Sequence, residues 1–388
     1  MFGLSEDQVD LIAASRTLAL DTFKAKAMQW HRTKEYPAEN IAALRDAGLL
    51  GLCAPKAVGG GGRSEFDALL VLDAIGSVCP TTAAAMNVFD VGPLSILTKH
   101  GSAAQQEKYI PRMLNGELRL SIALTEPDAG SELTGLKTSG RVQGSEVLLN
   151  GVKVFSAGAN AADVFLVYVR FGPKLSDIGA VIVEKGSPGL VTGPTRTFMS
   201  GSTWAELRFE NCRVPAENIL PLENGFKDLI LTYNMERLGA VAKSLGIAEC
   251  ARTRAQEYVV SRHQFGGPLW DQQGLRWKFA DMEMRIESAR LLMMKAAANA
   301  VDGNPSRIES SMAKLAASEA ASFVCDEAIQ VCGGTGFDEE SGLPWLYGLA
   351  RSYRIAGGAS ELHRNMIAKD QLASSWTFKD RAPSEVGA

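Results

Sequence analysis

Strand-type patterning in this chain is confined to one stretch, roughly residues 119–225, and helical patterning occupies both flanks. That segregation predicts an α+β, mostly α, fold in three successive parts: an N-terminal helical domain (1–118), a middle β-barrel domain (119–225) and a C-terminal helical domain (226–388). In the first part, Ser5 with Gln8 forms a capping-box signature ahead of a helix carrying Val9, Ile12 and Phe23. A second helix follows Pro37, places Ile41, Leu44 and Ala47 on one face and stops at Gly48. Further helical spacing covers 64–78, 82–99 and 103–114. In the middle part, Val147, Leu148 and Leu149 run into Asn150-Gly151, after which Val152, Val154 and Phe155 alternate with Lys153 and Ser156. This predicts a hairpin turning at Asn150-Gly151. Other strand runs are Val164 to Val169, Ile178 to Val183 and Leu207 to Phe209. After residue 226, one helical stripe holds Leu238, Val241, Leu245 and Ala248. A second holds Phe279, Met282, Ile286, Ala289 and Leu292 or Met293.

Composition narrows the function. Against 40 Lys and Arg stand 44 Asp and Glu, with no dense basic run, which excludes a nucleic-acid or anionic-membrane partner. Asp73, Asp90 and Lys99 interrupt the most apolar region, so no membrane span is expected. Glu6, Asp7 and Asp10 sit where a signal peptide needs a basic start, and a cytoplasmic location is expected. The 6 cysteines (Cys53, Cys79, Cys212, Cys250, Cys325, Cys332) form no C-x-x-C pair and have only 4 histidines for company. No metal site and no disulfide framework are expected, and the thiols read as buried. Glycine, at 38 residues, is the one compositional excess. Four glycines in a row close the loop Pro55 to Gly62. No strand precedes them and no Lys-Ser or Lys-Thr follows, so the P-loop reading fails and a flexible connection is expected. No G-x-G-x-x-G follows a strand, which removes a nicotinamide-binding unit.

Four segments carry chemistry. In Leu124-Thr125-Glu126-Pro127-Asp128-Ala129-Gly130-Ser131, the hydroxyls of Thr125 and Ser131 and the unobstructed amide of Gly130 suit a flavin edge or a pyrophosphate, or form an ordinary Pro-Gly turn. In Arg262-His263-Gln264-Phe265-Gly266, followed by Gln273, a guanidinium stands ready for a diphosphate and a ring for an adenine; the plain alternative is a surface helix end. Gln330-Val331-Cys332-Gly333-Gly334-Thr335-Gly336 offers close backbone approach. The last segment is Ser360-Glu361-Leu362-His363-Arg364.

In order and spacing these four segments resemble the acyl-CoA dehydrogenase family over nearly the whole chain. The resemblance implies a C-terminal four-helix bundle and an FAD-dependent α,β-dehydrogenation of an acyl thioester, in which a carboxylate takes the α proton while the β hydrogen leaves as hydride. It implies FAD contacts from Leu124, Thr125, Gly130, Ser131, Phe155, Ser156, Arg262, Gln264, Phe265, Gln273, Gln330, Gly333, Gly334, Ala359 and Glu361. The ADP half is shared between subunits, so a homo-oligomer, dimer or tetramer, is expected. Electron-transferring flavoprotein is the expected acceptor.

The family's usual base is the Glu of a tetrapeptide resembling Glu-Gly-Thr-Ser, and here those positions read Gly357-Gly358-Ala359-Ser360. In the isovaleryl and long-chain branches the base comes instead from a segment resembling Leu-Glu-Arg-Leu, matched by Met235-Glu236-Arg237-Leu238. Glu236 is the candidate base and should be partly desolvated; the plain alternative is an acid placed at a helix N-terminus for its dipole. Arg237 and Gly358 are expected on the substrate side, and the Gly357 N–H is expected to polarise the thioester oxygen. Ser156 stands for a usual Thr beside the flavin, Trp204 for another Thr, and Ala359 for a third. A carrier-protein thioester in place of CoA, a non-catalytic flavin-binding subunit and a flavin oxygenase remain as alternatives.

Overall fold

The computed structural model describes residues 3–373; the end of the C-terminal part, 374–388, lies outside the described residues. The capping box forms as expected, with reciprocal bonds between Ser5 and Gln8, and opens α1 (Glu6–Leu18). The helical path continues through a π-turn at Ala19–Phe23 into α2 (Ala27–Thr33), with Phe23 fully buried. Next come α3 (Ala38–Asp46), α4 (Glu65–Gly76), α5 (Pro80–Met86), α6 (Pro93–His100) and α7 (Ala103–Leu114). The span expected as one helix over 82–99 is two, because Pro93 opens α6 at its first turn and Asp90 leaves the helical region ahead of it.

The loop from Pro55 to Gly62 is bonded to its surroundings rather than a free connection. The N–H groups of Gly60, Gly61 and Gly62 donate to the carbonyls of Pro55, Gly51 and Ala54, and Arg63 donates to Leu52. A Cβ on Gly60 would lie 2.1 Å from the Ala54 carbonyl oxygen, so that glycine permits close backbone approach.

The chain packs as two compact units. One comprises Ile41–Arg63 and Met86–Tyr233; the other comprises the chain up to Asn40, Ser64–Ala85 and the chain from Asn234 onward. The first unit holds the strands β1 (Leu120–Ala123), β2 (Ser139–Gln143), β3 (Glu146–Ala157), β4 (Val164–Arg170), β5 (Ile178–Glu184), β6 (Leu190–Thr192), β7 (Arg196–Thr197) and β8 (Thr203–Pro215). They form one curled eight-stranded sheet in the order β1-β4-β2-β3-β8-β6, with β5 on β4 and β7 on β8. The curl encloses Val147, Leu149, Phe165, Val167, Val181, Leu207 and Phe209. α7 is tied to this unit by Tyr109, which donates to Glu184, and by Gln105, which donates to the carbonyls of Glu217 and Ile219.

Asn150-Gly151 does not turn the chain. β3 runs straight through it, and the hairpin with β2 turns at Gly144-Ser145 instead. The physical reason lies across the sheet. β8 carries an extra residue opposite this point, with Asn211 at φ +47, and the two Asn side chains bond across the bulge. Gly151 is needed for space, since a Cβ there would meet Thr138 Oγ1 at 2.5 Å.

The second unit gathers α8 (Phe226–Ser261), from Asn234 onward, with β9 (His263–Gln264) and β10 (Gly267–Pro268). α9 (Gln273–Ala298), α10 (Arg307–Phe337), α11 (Leu343–Ser352) and α12 (Ser360–Ala373) follow. α10 packs along α9, α11 and α12. Both expected stripes are buried, with Met293 the inward one of the Leu292 and Met293 pair. α4 belongs to this unit: it crosses α8 at Gly76 and Gly246, where a Cβ on Gly246 would stand 2.7 Å from the Gly76 Cα. Its Asp73 pairs with Arg290 of α9 at 2.8 Å. Five cysteines are buried and Cys53 is half-buried. Among the described residues no helix is long and apolar enough to cross a membrane.

Candidate active site

In the sheet unit, the segment from Leu124 follows directly on β1 and folds back at Pro127-Asp128, where Glu126 and Ala129 exchange backbone bonds. Its anchor is an ion pair that the alternation of β3 conceals. Lys153, expected to face outward between two valines, is fully buried. Its Nζ donates to Glu126 Oε1 at 2.8 Å and to the Leu124 carbonyl at 2.9 Å, while the Thr125 carbonyl accepts from the Val154 N–H. Glu126 also accepts from the backbone N–H groups of Lys137 and Thr138. Burial pulls the Lys153 ammonium down to about 8 against the opposing pull of Glu126, and the Glu126 carboxyl stays below its usual range through Lys153 and these amides, against its own burial. Neither residue was singled out in the sequence; a lysine inside a run of apolar strand residues was the available signal.

β3 then carries its own bulge between Lys153 and Ser156, with Phe155 at φ +58, unusual for a bulky residue. Ser156 consequently points inward, and its hydroxyl is enclosed with no hydrogen-bond partner. Phe155 turns outward onto Trp204, with ring centroids 4.7 Å apart, and Phe198 completes a triangle of rings, 5.8 Å from Trp204 and 6.0 Å from Phe155. Arg196 covers the Trp204 ring. Leu124 and Thr125 are therefore joined to the strand of Ser156, whereas Gly130 and Ser131 are exposed beyond the turn.

In the helical unit, Glu236 lies in the third turn of α8, too far from Phe226 for the first-turn dipole explanation. One carboxylate oxygen is enclosed with no hydrogen-bond partner. Burial raises its pKa from 4.5 to about 7, opposed by Lys243 and Arg237. Arg237 is buried and donates to Asn234 Oδ1 at 2.5 Å. Gly357 and Gly358 take φ +74 and +99. A Cβ built on Gly357 would lie 3.7 Å from the Ala240 Cβ, and Ala240 follows Glu236 by one turn on the same face of α8. Two unexpected side chains reach this glycine turn from α10 and α12. Lys314 Nζ donates to the Gly358 carbonyl and His363 Nε2 to the Gly357 carbonyl at 3.2 Å.

The remaining predicted residues lie at the far ends of α8 and α10, at the start of α9 and at the start of α12. Phe265 and Gly266 form the exposed two-residue turn between β9 and β10, with exposed Arg262 and Gln264 just before it and Phe265 at φ +55 and 93 % exposed. Gln273 is exposed at the start of α9. α10 breaks at Gly333 (φ 58, ψ -139), and Tyr258 of α8 meets Thr335 beyond the break at 3.5 Å. Gln330, Gly333 and Gly334 are exposed, and a Cβ on either of these glycines would meet nothing within 4 Å. Gly336 differs: its glycine serves internal packing against Ile329 and Cys332. Ala359 precedes α12, and Glu361 is exposed in its first turn.

The enclosed, unpartnered hydroxyl of Ser156 fits a flavin edge, and the exposed Arg262 hairpin with the open glycine backbone fits a dinucleotide diphosphate. The sheet unit offers an enclosed hydroxyl for a flavin edge; the helical unit offers a carboxylate with one enclosed, unpartnered oxygen and an open backbone for a diphosphate, features of a flavin-dependent oxidoreductase. The models of the acyl-CoA dehydrogenase N-terminal, middle and C-terminal domains match residues 5–117, 121–212 and 223–372. The chain is 37% identical over 378 residues to acryloyl-CoA reductase (NADH) of Anaerotignum propionicum, covering 96% of each. It resembles the solved butyryl-CoA dehydrogenase of Megasphaera elsdenii (TM-score 0.88, 31% identity, 96% of this chain and 100% of that one). It also resembles the prolyl acyl carrier protein oxidase AnaB (TM-score 0.88, 27% identity, 95% and 99%). The chain belongs to the acyl-CoA dehydrogenase family, whose members are FAD-dependent oxidoreductases.

Proposed function

We propose that the protein dehydrogenates a saturated acyl-CoA between Cα and Cβ, with Glu236 removing the α proton. The carrying observation is the Glu236 carboxyl, one oxygen of it enclosed and unpartnered and its pKa brought to about 7, on the α8 face that the Gly357 Cβ direction meets. A base poised near working pH combines a useful ionised fraction with driving force. Bound FAD supplies the hydride acceptor. Leu124, Thr125, Gly130, Ser131, Phe155 and Ser156 hold its flavin end; Ala359 and Glu361 contribute beside the active-site turn. Arg262, Gln264, Phe265, Gln273, Gln330, Gly333 and Gly334 hold the ADP end of an FAD shared with a second copy of the chain. Arg237 and Gly358 meet the thioester, and the Gly357 N–H polarises its oxygen. Electron-transferring flavoprotein takes the electrons onward.

The test is anaerobic bleaching of the flavin by short, branched and long saturated acyl-CoA thioesters. The parent is expected to bleach and Glu236→Gln to keep flavin but not bleach; bleaching by that variant ends the assignment. Likeness to the carrier-protein oxidase supports a second reading, in which the acyl group is carrier-bound, and phosphopantetheinyl-protein thioesters in the same screen decide between them.

A further inference from the structure

The Gly357-Gly358 turn is gripped from beneath by two buried basic side chains. Lys314 on α10 and His363 on α12 are 1% and 0% exposed, and they take the carbonyls of Gly358 and Gly357 respectively. A carbonyl can only accept, so the histidine donates from Nε2. Its Nδ1 is enclosed without a partner. Burial and the nearby charges of Lys314 and Arg237 push the ring down to about 4, which keeps it neutral. Lys314 is itself drawn down to about 8 by burial and by Arg237.

In a planar trans peptide the N–H points opposite to the C=O. Turning the Gly357 carbonyl onto His363 therefore aims the Gly358 N–H away from it, and turning the Gly358 carbonyl onto Lys314 does the same for the Ala359 N–H. Two successive positive φ values let neighbouring peptide planes take this arrangement, which is open to glycine and strained for other residues. Contact with a cation or an imidazole N–H also polarises each peptide, strengthening the N–H at its other end.

We propose that Lys314 and His363 are positioning residues that hold the Gly358 and Ala359 amides, next in the chain after the Gly357 N–H, as fixed donors facing the reacting thioester and flavin. This rests on the dehydrogenase reading above and adds to it what fixes the donor turn. Such donors act most where charge develops, so their loss lowers turnover more than binding.

The experiment compares Lys314→Met, His363→Leu and His363→Gln in the flavin-loaded enzyme, reading kcat and KM from thioester-driven flavin reduction alongside flavin content and melting temperature. Lys314→Met and His363→Leu should each lower kcat by about tenfold or more, with KM within about threefold and flavin retained. His363→Gln keeps an N–H donor for the Gly357 carbonyl and should recover most of the loss. Equal rates for His363→Leu and His363→Gln, or a parental rate for Lys314→Met, overturn the proposal. If Lys314→Met fails to fold, the His363 pair decides. Glu236→Gln run in parallel separates the two ideas: reduction surviving there strikes the base assignment, whereas its loss together with unaffected Lys314 and His363 variants strikes the positioning role alone.

Discussion

Lys153 Nζ stands 2.8 Å from Glu126 Oε1, with the two side chains 0% and 5% exposed, and this pair joins the Leu124–Ser131 segment to the middle of β3. Removing one partner leaves a buried charge uncompensated. Lys153→Met is expected to destabilise the protein by about 3–5 kcal/mol and to release flavin. The double change Lys153→Met with Glu126→Gln should recover part of that stability, which denaturant titration of the three proteins measures.

Glu236 links activity to pH in one direction and stability in the other. Its carboxyl is raised from 4.5 to about 7, so the ionised base forms as pH rises through 7. Flavin reduction under kcat/KM conditions should climb with a midpoint near pH 7 and then level off. Between pH 4.5 and 7 the folded protein holds a proton that the unfolded chain has released, so this group costs stability as pH rises through that window. Glu236→Gln should therefore be more stable than the parent above pH 7, by on the order of 1–3 kcal/mol, and indistinguishable near pH 4. Melting curves across pH check the sign.

Ser156 separates folding from cofactor binding. Its hydroxyl is enclosed and unpartnered in the protein alone, so Ser156→Ala should leave the flavin-free protein as stable or more stable. The same change should weaken FAD binding by about 1 kcal/mol, roughly fivefold in Kd, as seen by titration of the flavin-free protein.

Two glycines provide a matched contrast. Gly151→Ala places a Cβ 2.5 Å from Thr138 Oγ1 and 2.7 Å from its Cα, and is expected to destabilise by about 1–3 kcal/mol through overpacking. Gly130→Ala meets nothing within 4 Å, so only flavin affinity should respond.

Much of the fold was legible because its apolar stripes are local and periodic. Leu238 to Ala248 on α8 and Phe279 to Met293 on α9 are buried as their spacing requires. The strand regions at Val164 and Ile178 were legible because short runs rich in β-branched residues, with aromatic ones added in the first, leave little choice. What failed was decided by distant residues. Asn150-Gly151 carries a strong turn signal, yet pairing with β8 across the Asn211 bulge overrides it. The site divides the same way. Glu236 could be located from its motif, and its first-turn explanation fails only once α8 is seen to start at Phe226. Lys314 carries no signal in the sequence, and His363, though within the last of the four segments, has no legible role there, because their partners are backbone carbonyls 44 and 6 residues away with no side-chain signature.

The bulge at Phe155 also sets the phase of everything beyond it. Up to Lys153 the inward residues of β3 are odd-numbered, and after the bulge the inward residue is Ser156. Were the same residues to run through this point without the bulge, unbroken alternation would point the phenyl ring inward behind Lys153 and the serine hydroxyl out toward solvent. A single peptide unit thus acts as a frame-shift in space: the pairing of β3 with β8 survives, while the chemical character presented on each face is exchanged.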